Sequence, residues 1–75
     1  MNVTLTSTTK IVSLNGHMHR VWEGETESGI KCHAFIARVA IDIDEPRAIE
    51  FQQELVECKP PSIEIEAIPF KLIIN

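Results

Sequence analysis

Metal-ligand and thiol chemistry in this sequence rests on three histidines and two cysteines. Four of these residues, His17, His19, Cys32 and His33, lie within one short stretch. In an extended chain His17 and His19 project from the same face, two residues apart. A regular hairpin closing over residues 24–29 would set Val21 opposite Cys32 and Arg20 opposite His33. Cys32 would then join the histidine face and His33 would point away. That makes three ligands at best, against the four of a structural zinc site. His17 and His19 are the candidates for a metal- or ligand-binding face. The simpler reading is two partly solvated strand histidines, with no metal and no cofactor.

A cysteine–histidine nucleophile needs the thiol within hydrogen-bond reach of its base, with an orienting group and oxyanion donors. Cys32 and His33 are adjacent, so on a strand they diverge to opposite faces. Glu23, Glu25 and Glu27 form a loose carboxylate cluster, but a polar turn would leave them in water without the desolvation that tunes a general acid. Gly16, Gly24 and Gly29 have turn spacing and not the spacing of a phosphate cradle. The expectation is that the chain is not an enzyme. No motif is specific enough to carry a family over.

The elements that would position these residues are legible from period and punctuation. Asn2 to Leu14 is rich in Thr, Val, Ile and Leu and suits a strand, with a bend near Ser7 to Thr9 where the apolar phase changes. Asn15-Gly16 is a strong type I′ hairpin signal, because both residues tolerate positive φ. A second strand runs from His17 to about Glu23, and GETESG makes a solvated turn. A third strand starts near Ile30 and is drawn to Ile43, with a change of apolar phase at residues 35–37 that implies a bulge or two covered faces.

Asp44 is placed as a helix N-cap and Pro46 in the first turn. The segment RAIEFQQELVEC then puts Ala48, Phe51, Leu55 and Cys58 on one helical stripe, expected to pack on Phe35, Val39 and Ile41 of the sheet. Lys59-Pro60-Pro61 ends the helix. Ser62 to Asn75 alternates as a further strand, with Pro69 marking an edge or bulge. Cys32 and Cys58 are expected to be packed free thiols.

The chain has 75 residues, a formal charge of −4, and 11 acidic against 7 basic residues. That length suits one domain over residues 1–75. A chain so short buries only about 60% of its unfolded surface, so its core is marginal. The basic residues are scattered singly, which disfavours nucleic-acid binding, where a basic stripe supplies most of the affinity. No segment reaches the ~20 apolar residues of a membrane span, and the N-terminus has no signal-peptide pattern, so no membrane and a cytoplasmic location are expected.

Together these readings predict an α+β fold: a small antiparallel β-meander, one amphipathic helix packed on one face, and a C-terminal strand, in the order β-β-β-α-β. The expected function is a non-catalytic protein-interaction module that also forms a homodimer, with Trp22, Arg20 and Phe70 as interaction residues. Small acidic domains of this kind are common among accessory proteins of phages and mobile elements, which makes that role the compositional expectation. The alternative is a small metal- or ligand-binding protein using the His17 and His19 face.

Overall fold

A computed structural model describes residues 1–66. They form a three-stranded antiparallel sheet with two short helices, α+β in the broad sense. The strands are β1 (Val3–Leu14), β2 (His17–Thr26) and β3 (Lys31–Ile36), in the spatial order β1-β2-β3. The helices are α1 (Ala48–Leu55) and the single turn α2 (Ile63–Glu66).

The first hairpin turns where the sequence places it. Asn15 and Gly16 both take positive φ, at 53° and 81°, as a type I′ turn requires. Leu14 then pairs with His17 and Val12 with His19. The irregularity expected near Ser7 to Thr9 lies in a continuous strand: Ser7 pairs with Trp22, and the next pair is Ile11 with Arg20. Thr8, Thr9 and Lys10 together oppose Val21, so β1 bulges there.

The second hairpin differs from expectation. Residues 24–26 belong to β2, and the turn occupies Glu27 to Ile30. Thr26 organises it: its N–H donates to the Ile30 carbonyl at 2.9 Å, and its hydroxyl accepts from the Ile30 N–H at 3.1 Å. Val21 therefore pairs with Phe35, not Cys32, and Arg20 with Ile36, not His33. This displacement is an odd number of residues, so it exchanges the faces of β3. It also sets Glu25 opposite Lys31, a favourable cross-strand charge pair.

The third strand ends at Ile36 and does not reach Ile43. The parity change at residues 35–37 is where the chain leaves the ladder, rather than a bulge within it. Val39, Ile41 and Ile43 are exposed, not part of a sheet face over a helix.

α1 also departs from expectation. Asp44 lies in a preceding turn, its N–H bonded to the Asp42 carboxylate at 3.0 Å, and Arg47 occupies the N-cap position without a side-chain cap. Pro46 therefore precedes the helix instead of sitting in its first turn. No residue of α1 is buried, and Leu55 is 39% exposed. Phe35 packs against the buried cluster of Val12, Val21 and Ile65, because the observed register turns it to the Val21 face. Ile65, not the helix, covers that face. Cys58 lies beyond the end of α1 and not on its stripe.

Residues 63–66 form a helical turn and not the start of a strand. Ser62 begins it: its hydroxyl accepts from the Ile65 N–H at 3.3 Å, and its carbonyl accepts from Glu66 at 2.9 Å. This is N-cap chemistry, and it overrides the period-2 alternation of Ile63 and Ile65. The expected strand from residue 67 onward, including Pro69 and Phe70, lies outside the described residues. Among the described residues, no helix is long and apolar enough to cross a membrane.

Candidate functional site

The bulge in β1 organises the candidate site. Three residues of β1 face one of β2, so the regular ladder cannot satisfy every backbone group there. Thr8 supplies the missing donor: its side-chain hydroxyl donates to the Val21 carbonyl at 2.6 Å and accepts from the Lys10 N–H at 3.3 Å. Thr8 has no exposed surface. The Arg20 guanidinium donates to the Thr8 carbonyl at 2.7 Å from the opposite strand. Arg20, read from the sequence as an interaction residue, thus braces the bulge.

The outer edge of the bulge binds the segment that follows α1. Thr9 N–H donates to the Lys59 carbonyl at 2.9 Å, and Lys59 N–H donates to the Ser7 carbonyl at 3.1 Å, a one-residue parallel bridge. The Ser7 hydroxyl donates to the Glu57 carbonyl at 3.0 Å and lies 3.6 Å from the Cys58 sulfur. Ser7 shares the Trp22 face, whereas Glu23, which pairs with the Lys59 ammonium, shares the Val21 face. Residues 57–66 therefore form a strap that passes round the β1 edge from one face of the sheet to the other.

Between strap and sheet lies a cleft of about 680 Å³. Thr4, Thr6, Glu23, Glu25, Lys31 and His33 line its floor, and Lys59, Ser62, Glu64 and Ile65 line its roof. Glu23 is the best-held group in it. One carboxylate oxygen pairs with Lys59, the other accepts from the Ser62 N–H at 3.4 Å, and the side chain is only 11% exposed. The hydrogen bond from Lys59 holds the Glu23 carboxyl below the usual carboxylate range, partly offset by burial and aided by Ser62. With both oxygens engaged, the carboxylate clasps the strap to the sheet. The clasp went unread in the sequence because its partners stand far apart in the chain.

The other predicted residues fall separately. His17 and His19 share the Val21 face near the first turn, and His19 Nδ1 lies 2.9 Å from the His17 carbonyl oxygen. Cys32 pairs with Gly24, away from both histidines. No group of three or more described His, Cys, Asp and Glu residues could together hold a metal ion. His33 meets Phe35 edge-on, ring centroids 5.4 Å apart. Cys32 and Cys58 are free and half-buried. Trp22 is half-buried on the face away from Val21, opposite Ser7 and Ala34, and Phe70 lies outside the described residues.

Comparison with protein-family models, curated proteins and solved structures gave no match.

Proposed function

We propose that this chain is a non-catalytic protein-interaction module. The observation that carries the reading is α1. The helix has an apolar side made by Ala48, Phe51 and Leu55, yet it buries no residue. Apolar side chains of the helix and its C-terminal flank are open to solvent: Ile49 (73% exposed) and Val56 (80% exposed). A helix gains most of its stability from packing its apolar side, and concentrated exposed apolar surface marks interaction sites. A protein partner that covers α1 would supply that packing.

Self-association belongs to the same proposal, as does a cytoplasmic role as an accessory protein of a phage or mobile element. The engaged Glu23 carboxylate supports the non-catalytic reading, and the single-residue scatter of basic side chains supports a protein partner over a nucleic acid. Affinity capture from cell extract with the wild-type chain and with Val56→Asp tests it. A partner retained by the wild type and lost by the variant supports the proposal. Capture unchanged by the substitution refutes α1 as the binding element.

A further inference from the structure

We propose that two copies of this chain join through β3, edge to edge about a twofold axis, into one continuous six-stranded sheet. The proposal rests on the reading of the chain as an interaction module, but it uses a different surface. Val56 variants test α1 as a binding element and Ala34 variants test the β3 edge, so either surface can fail alone.

The two edges of the sheet are unlike. The β1 edge is closed at its centre, where Ser7 and Thr9 exchange backbone hydrogen bonds with Lys59. The β3 edge has no backbone partner among the described residues. Natural edge strands carry charges, proline or bulges that deter pairing. Lys31–Ile36 has neither proline nor bulge, and its one charge stands at its first position.

The one uninterrupted edge selects the partner. Head-to-tail addition of copies would need a second edge free along its length, and the Lys59 bridge and the bulge interrupt the β1 edge at its centre. Pairing of β3 with β3 of a second copy uses the same patch on both chains and closes at two. The sequence of β3 suits this. With the axis at Ala34, Ala34 faces its own copy, Cys32 faces Ile36 and His33 faces Phe35. The face alternation is kept, so the Trp22 face of one copy continues into that of the other. No like charges stand opposite, and Lys31 falls beside Ala37. The His33–Phe35 edge contact seen within the chain is repeated across the axis. The β1 edges, each bridged and bulged at its centre, then lie outermost.

Sedimentation of the full chain at micromolar concentrations should show a species of twice 8.5 kDa. Ala34→Asp places two carboxylates face to face across the axis and should weaken the dimer at least about tenfold while the far-ultraviolet spectrum stays that of the wild type. An independent test is Ala34→Cys in a chain carrying Cys32→Ser and Cys58→Ser. Facing residues of an antiparallel pair lie within disulfide reach, so mild oxidation should link two chains. A wild type that sediments only as the 8.5 kDa chain overturns the proposal, whether a foreign strand or residues 67–75 cover β3 instead. A dimer that neither weakens with Ala34→Asp nor cross-links through Ala34→Cys overturns it equally.

Discussion

Thr8 and Val21 are the two most completely buried side chains of the described residues, and the hydroxyl of one is hydrogen-bonded at 2.6 Å to the backbone carbonyl of the other. The pair joins the bulge of β1 to the centre of β2. Thr8→Val keeps the shape and removes the donor, leaving the Val21 carbonyl buried without its partner. Loss of such a bond costs about 1–3 kcal/mol. Urea unfolding should show that loss with an unchanged m-value, and Thr8→Ser should recover part of it.

The Glu23–Lys59 clasp predicts an acid dependence. The Glu23 carboxyl is held low in the folded chain, chiefly by Lys59. Its contribution is therefore fully present above the unfolded glutamate value of about 4.3. It is lost as pH falls from there through the lower folded value. Glu23→Gln should destabilise the chain at neutral pH and flatten the fall in stability on the acid side. Thermal unfolding across pH 7 to strongly acid conditions measures both. Parallel curves for variant and wild type would remove the clasp from the account.

Ile65 and Leu55 should contrast. Ile65 is buried against Val12 and Val21, whereas Leu55 stands on the uncovered helix. Ile65→Ala should cost about 2–5 kcal/mol. Leu55→Ala in the isolated chain should cost about 1 kcal/mol or less. Chemical denaturation of the two variants gives the comparison, and the reverse order would place the core under α1.

Gly24 has no room for a side chain. A Cβ there would overlap the Thr4 carbonyl oxygen of the neighbouring strand. Backbone cannot move aside as a flexible side chain can. Gly24→Ala should cost about 3 kcal/mol or more, the upper end of overpacking effects. Hydrogen exchange should show the loss concentrated at residues 3–6 of β1, which pair with this end of β2.

His17→Ala and His19→Ala should each change stability by no more than about 0.5 kcal/mol, as surface substitutions do. Chelator should leave the melting temperature of the wild type unchanged. A double variant and a chelator that lower it equally would restore the metal reading.

The first hairpin was legible because Asn15-Gly16 admits few other conformations. The second was legible only as to its existence. Gly24 and Gly29 bracket four polar residues, and the turn lies at their far end because Thr26 bonds both backbone and side chain to Ile30. An error of a few residues in that boundary exchanged the faces of β3 and moved Phe35 away from the helix. The clasp was illegible for another reason: Glu23 and Lys59 carry no local signal of each other. Arg20 carries no sequence signal of its hydrogen bond to the Thr8 carbonyl, because that bond depends on the bulge opposite it.

The strap also sets an order of events in folding. The two hairpins close over a few residues each, whereas Ser7 meets Glu57 and Cys58 across 50 and 51 positions of chain. Short loops close in far less time than long ones, and the entropy of the long closure is lost before its contacts form. The sheet should thus be present in the transition state and the strap absent from it. Substitutions at Ser7 or Lys59 should then speed unfolding and leave the folding rate almost untouched.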